Sequence, residues 1–149
     1  NVISGYEYAK ALAAEARDHL ATFNPWNRER VAEAMKLTPA RYEQAKTDLA
    51  AARATLDGIF GDYDALLTPS LAGEAPVGLT EVRTATFNRL WIHMYTPAVN
   101  LPLFEGLHGM PVCIQIIAKR DSDDRALVIA QAIDARLRAA LGAIPARVG

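Results

Sequence analysis

Residues 62–70 read Asp62-Tyr63-Asp64-Ala65-Leu66-Leu67-Thr68-Pro69-Ser70. The short apolar run Ala65–Leu67 is stopped by proline, which cannot donate to a sheet ladder, so the segment predicts a buried strand ending at Pro69. This stretch decides the fold because the texture of the chain changes across it. The N-terminal side has helical periodicity throughout, whereas the C-terminal side mixes strand and helix patterns. An α/β body with few mixed strands and a heavy helical coat is expected, residues 1–61 helical and 62–149 mixed.

N-terminal of this run, Ala9, Ala13, Ala16, Leu20 and Phe23 step by four and three and share one helical face. Asn24-Pro25 ends that run and opens another, with asparagine as N-cap and proline at the first helical position. Thr38-Pro39 repeats the signal before the longest segment, where Tyr42, Ala45, Leu49, Ala52, Leu56 and Ile59 keep a three/four rhythm. Gly61 is expected to close that helix in a left-handed conformation. A coiled coil is the weaker reading, because the rhythm lasts under three heptads and a third of the seam is alanine.

C-terminal of it, residues 69–78 carry two prolines and two glycines and read as a surface or site-lining loop. Phe87, Leu90, Trp91 and Met94 predict a helix over 84–95. Residues 97–102 are a strand fenced by prolines, 105–109 a turn, and the alternation of Val112, Ile114 and Ile116 with Cys113, Gln115 and Ile117 a further strand. Asp121 or Ser122 is expected to cap a last helix whose apolar stripe is Ala126, Ile129, Ala130, Ile133, Leu137 and Leu141.

Composition narrows the function. The 149 residues are 51% hydrophobic and 22% charged, the balance of a globular chain. Sixteen basic and seventeen acidic residues are spread evenly, so no basic face stands out to displace counterions from nucleic acid. No apolar run reaches the length of a membrane span, and the opening residues lack the pattern of a signal peptide. The expected location is therefore cytoplasmic. The first residue is Asn1 rather than methionine, which suggests a piece of a longer protein, although removal of a tag or leader gives the same start.

The inventory for chemistry is poor. Of Ser4, Ser70 and Ser122, none lies in a nucleophile elbow; Ser122 reads as a cap and Ser70 as a loop residue at a strand end with nothing local to activate it. His19, His93 and His108 share no catalytic or metal spacing. They read as a solvated helix residue, a partly buried residue and a turn residue in that order. The lone Cys113 excludes an intrachain disulfide and reads as buried and inert. Asp121, Asp123 and Asp124 open a helix, where the macrodipole favours them, and lack the glycine of a calcium loop. No phosphate-cradling motif is present. Neither a catalytic residue, a metal nor a cofactor is expected.

The phrases carry more than the spacings. Tyr63–Ser70, with Gly73-Glu74-Ala75-Pro76 after it, resembles a segment of amidase signature enzymes. Phe87-Asn88-Arg89-Leu90-Trp91 is similar to the FNRLW of one branch of that family, and residues 97–102 to one of its strands. Residues 109–117 resemble its GLPvGvQlig, and Asp123-Asp124 with Leu127 its closing helix. Cys113 stands where the family usually has glycine; His93 and Tyr95 replace smaller or aliphatic residues. The resemblance implies the C-terminal part of a single α/β fold several times longer, which hydrolyses carboxamides or transfers their ammonia. Its serine nucleophile, bridging cis-serine and lysine would all lie in the N-terminal portion. Lys10, Lys36, Lys46 and Lys119 match none of these positions. What the resemblance leaves here is a wall of the acyl pocket, with Ser70, Asn88 and Trp91 nearest to it; for Trp91 a core anchor is the alternative.

Two further readings are kept beside an amidase segment that is inactive alone and partnered by the rest of its chain and a small amide. One is a stand-alone module that binds a partner or forms a homo-oligomer through a sheet edge or helical face. The other is a short coiled-coil protein built on Tyr42–Ile59.

Overall fold

A computed structural model describes residues 2–78, 86–142 and 146–147. The chain divides into two compact units, Asn1–Ala52 and Arg53–Gly149.

In the first unit, α1 (Val2–Ala11) and α2 (Ala13–His19) take the place of one continuous helix, because Leu12 leaves helical geometry at φ −101°, ψ 13°. A 3₁₀ turn occupies Leu20–Thr22. At α3 (Pro25–Ala34) the expected cap is present: the Asn24 side chain accepts from the Asn27 N–H at 2.8 Å and Pro25 opens the helix. α4 (Pro39–Asp62) begins the same way, with Thr38 Oγ1 accepting from the Arg41 N–H at 3.2 Å. Ala16, Val31 and Ala34 are buried. The rings of Tyr6 and Tyr42 stack at 4.5 Å, and the Tyr42 hydroxyl donates to Glu7 at 2.9 Å.

Gly61 does not close α4. The helix runs on through Asp62, and Gly61 is not among the glycines with positive φ. Two residues of coil then suffice to enter the sheet.

The second unit is built on a four-stranded sheet of order β1-β3-β2-β4: β1 (Ala65–Pro69), β2 (Ala98–Glu105), β3 (Pro111–Ala118) and the two-residue β4 (Ala146–Arg147). β3 pairs antiparallel with both β1 and β2, and β4 adds parallel to the end of β2. β1 has the expected limits but the wrong burial. It is an edge strand, and Leu67 is 56% exposed. A second strand is longer than its proline fence: Pro102 lies inside β2, where a register shift between Pro102 and Phe104 absorbs the residue that cannot donate. The helix expected over 84–95 is reduced to α5 (Arg89–Met94), preceded by a turn at 86–88; the start of that expectation lies outside the described residues.

α6 (Asp123–Leu141) covers one face of this sheet. Ala126 and Ala130 of its stripe are buried, and Ala130 joins Leu101, Leu103 and Ile116 in the core, with Ile129, Ile133 and Leu137 packed around it; Leu141 is exposed. Ser122 stands at the N-cap position without capping, since its hydroxyl donates back to the Lys119 carbonyl. Asp121 does not cap either and adopts φ +58°. Cys113 is half-buried rather than buried.

The second face of the sheet positions the site. Side chains alternate along a strand, so residues next to Leu101 and Ile116 point away from α6. The register aligns Thr68, Gln115 and Asn100 across three strands on that other face. A hydrophobic sheet thus carries one polar row.

Candidate functional site

Hydrogen bonds tie Asn100 and Gln115 of the polar row to their surroundings. Ser70, just past the end of β1, is 3% exposed; its hydroxyl donates to Asn100 Oδ1 at 2.6 Å and its N–H to the Cys113 carbonyl at 3.1 Å. Gln115 is 2% exposed and its Nε2 donates to the Pro69 carbonyl at 3.0 Å and the Phe87 carbonyl at 3.3 Å. One side chain in the middle strand therefore holds both the end of β1 and the turn that leads into α5. Ser70 is bonded to an amide oxygen, which is no base, so this hydroxyl is not activated as a nucleophile.

α5 is short and held at its C-terminal end. The Arg53 guanidinium donates to the His93 carbonyl from Nε at 2.9 Å and Nη2 at 2.5 Å, and lies 3.9 Å from the centre of the Tyr95 ring. Tyr95 turns the chain with φ +58°, and the Trp91 carbonyl accepts from the Thr96 N–H at 3.3 Å. These contacts fix the helical turn that carries Asn88 and Trp91, three positions apart and so on one face.

Between α5 and the polar row lies a cleft of about 270 Å³. Asn88, Trp91, Thr96, Asn100 and Gln115 supply its polar lining, and Ile92 and Ala98 its apolar part. Two of the three residues singled out from the sequence, Asn88 and Trp91, meet here. Ser70 does not line the cleft and reaches it only through Asn100. Gln115, which lies within the 109–117 phrase but was not singled out as a site residue, is the residue that connects them; its other signal was a polar side chain inside the run Ile114-Gln115-Ile116-Ile117.

Two polar atoms of the lining residues are anomalous. Asn88 Oδ1 and Trp91 Nε1 are shut off from solvent and have no hydrogen-bond partner among the described residues. Each such group costs on the order of 1–3 kcal/mol relative to a satisfied one. A buried acceptor at the N-cap position of α5 and a buried donor three residues on are thus both without a partner among the described residues.

A second polar cluster lies at the turn between β2 and β3. Glu74 accepts from the His108 N–H at 3.1 Å, from His108 Nδ1 at 2.8 Å and from the Met110 N–H at 3.2 Å. Burial works against its charge, but the His108 ring and the two backbone donors outweigh it and hold the carboxyl below its ordinary pKa. This clamp pins the loop after Ser70 onto the hairpin. Among the described residues, no charged group lines the cleft itself. Among them, too, no group of three or more His, Cys, Asp or Glu could hold a metal ion, and no helix is long and apolar enough to cross a membrane.

No family model and no curated protein matches this sequence. Solved structures do. An amidase superposes with a TM-score of 0.74 at 26% identity, over 89% of this chain and 33% of its own. 6-Aminohexanoate cyclic dimer hydrolase gives 0.68 at 18% identity, over 95% and 34%. A bacterial aryl acylamidase of the amidase signature family gives 0.63 at 17% identity, over 93% and 31%. The chain spans about a third of the length of the structures it matches. Nearly the whole of this α/β chain therefore has the fold of part of an amidase signature enzyme, a third consistent with that enzyme's C-terminal portion.

Proposed function

We propose that this chain is the C-terminal portion of a carboxamide hydrolase, that it is inactive alone, and that α5 and the polar row form one wall of the acyl pocket. The observation that carries the reading is the fold match, which takes in almost all of this chain but only a third of an amidase. In the whole enzyme a serine attacks the amide carbonyl, a cis-serine and a lysine relay its proton to the leaving amine, and backbone donors hold the oxyanion; water then releases the acyl group. Those groups belong to the rest of the polypeptide. What this chain contributes is binding: Asn88 and Trp91 face the substrate, Gln115 and Ser70 hold the wall in place.

Assay of this chain on simple aliphatic and aryl amides is expected to give no turnover above buffer, and turnover would overturn the claim of inactivity. Reading the coding DNA upstream of Asn1 tests the rest. An in-frame extension with a lysine and a Gly-Ser-rich serine pair supports it; a start codon at that point removes it.

A self-associating module is the second reading. It is favoured by the outer edge of β1, unpaired among the described residues, and by Leu127 and Val128 on α6, which are 59% and 66% exposed. Light scattering across concentrations separates them: a dimer or larger assembly supports this reading, and a monomer throughout removes it.

A further inference from the structure

We propose that the outer edge of β1 is a docking surface for a second copy of this chain, the two copies pairing antiparallel about a two-fold axis at Leu66. This rests on the reading of the chain as a self-associating module, and it selects the β1 edge over the exposed side of α6 as the surface responsible. Three observations carry it. The first is the direction of the backbone groups. In an antiparallel ladder, directly opposite residues alternate between bonded and non-bonded pairs. The Ser70 N–H donates to the Cys113 carbonyl, and these two residues stand opposite each other in the register of β1 and β3. In steps of two, Thr68 and Leu66 therefore also bond β3, whereas Ala65 and Leu67 direct N–H and C=O outward. The far side of β3 agrees: the Ala118 N–H donates to the Pro97 carbonyl, which assigns Ala118 and Ile116 to β2 and leaves Gln115 and Ile117 for β1. Among the described residues, nothing pairs with the outer edge.

Second, that edge is undefended. Residues 65–69 carry no charge and pair with β3 without a bulge, and Pro69 guards only the last position. Asp64, next to the strand, is already paired with Arg125. The outer edge of β2, by contrast, is blunted by Pro102, a register shift and β4. Leu67 stands opposite Ile116 on the α6 side of the sheet, yet it is 56% exposed, because α6 lies over β2 and β3. Third, the edge is complementary to itself. Two copies using the same edge have identical contacts only when antiparallel. An axis at Leu66 sets Ala65 of each copy opposite Leu67 of the other, so the outward N–H and C=O groups of both residues are satisfied reciprocally. Each Leu67 side chain then packs beside the other copy's Ala65, and Pro69 is asked for no donor. The two Asp64 residues come to lie about 13 Å apart along the ladder, beyond the screening length of ~8 Å.

Light scattering and amide exchange on the 149-residue chain, over a range of concentrations, test this. A dimer is expected. The Ala65 and Leu67 amides should exchange about tenfold more slowly once roughly nine-tenths of the chains are paired, with Leu66 and Thr68 protected at every concentration. Leu67→Lys brings two ammonium groups onto one face of the joined sheet and is expected to weaken the dimer about tenfold or more, whereas Leu127→Gln with Val128→Gln leaves it unchanged. The exchange measurement on the wild type stands whether or not the lysine variant folds. A dimer that survives Leu67→Lys and dissociates in the α6 variant overturns the edge and leaves the self-association reading standing. An open-ended assembly overturns the two-fold pairing. A monomer throughout overturns both, and a protected Leu67 amide in that monomer gives the edge to a segment of the same chain.

Discussion

Replacing Gln115 removes the side chain that joins β1 to the turn before α5. In Gln115→Met, of similar volume and flexibility, the donations to the Pro69 and Phe87 carbonyls at 3.0 and 3.3 Å are both lost. Each is a net ~0.5–1.5 kcal/mol, and an acceptor left buried adds to that. The Pro69 carbonyl keeps a contact from the Thr68 hydroxyl at 3.3 Å, so the larger penalty falls at Phe87. The added apolar burial of the methionine offsets part of the loss, and the expected cost is ~2 kcal/mol. Gln115→Glu separates this account from simple packing. A carboxylate there would face two carbonyl oxygens, so the folded state favours the protonated form and its pKa lies above the unfolded value of about 4.3. With the folded pKa raised, the variant is most stable below the unfolded pKa and loses stability as pH rises through the folded one. Each unit of elevation costs ~1.4 kcal/mol at neutral pH. Urea denaturation of wild type and both variants at pH 4 and pH 7 gives the differences directly. A Gln115→Met cost under about 0.5 kcal/mol, or a Gln115→Glu penalty equal at both pH values, would refute the assigned role.

Three further outcomes are expected. Asn24→Ala removes the bond to the Asn27 N–H at 2.8 Å and should cost ~1 kcal/mol, seen as faster amide exchange through α3. Gly106→Ala places a methyl onto Glu74 Cδ and Oε2 and 2.8 Å from its Cβ, against a carboxylate fixed by three donors. The expected loss is ~1–3 kcal/mol, and a double-mutant cycle with Glu74→Ala should recover a coupling of ~0.5–3 kcal/mol. Glu74 also predicts a pH dependence: its folded pKa is depressed, so its contribution is present above the ordinary carboxylate range and is lost as pH falls through the folded value. The stability gap between wild type and Glu74→Gln should close on acidification; a gap that persists to the lowest pH removes the clamp.

How much the sequence made legible depends on the range of the forces involved. Asn24-Pro25 and Thr38-Pro39 announce helix starts because a cap is settled within three residues, and both caps form. Pro69 marks the end of β1 for the same local reason. Gly61 misleads, since glycine permits a left-handed cap without requiring one, and the chain stays helical until the sheet takes it up. Burial is less legible still. Ala65–Pro69 has the composition of an inner strand, yet β3 rather than β1 takes the centre, a choice made by pairing between residues some fifty apart. The candidate site is likewise assembled from distant residues, by hydrogen bonds across 28, 30 and 46 positions. Asn88 and Trp91 are visible as a phrase, but the partner that fixes them is Gln115, and only the register that sets Thr68, Gln115 and Asn100 in one row puts it there. A polar residue between isoleucines has no place on the α6 side of the sheet, so Gln115 itself helps select the register. Shifted by one, it would bury its amide against Leu101 and Ala130 without a partner. The residue that organises the candidate site also disfavours the alternative pairing. The 109–117 phrase gives its position but not its partners, and its other trace in the sequence is the single polar break in a hydrophobic strand.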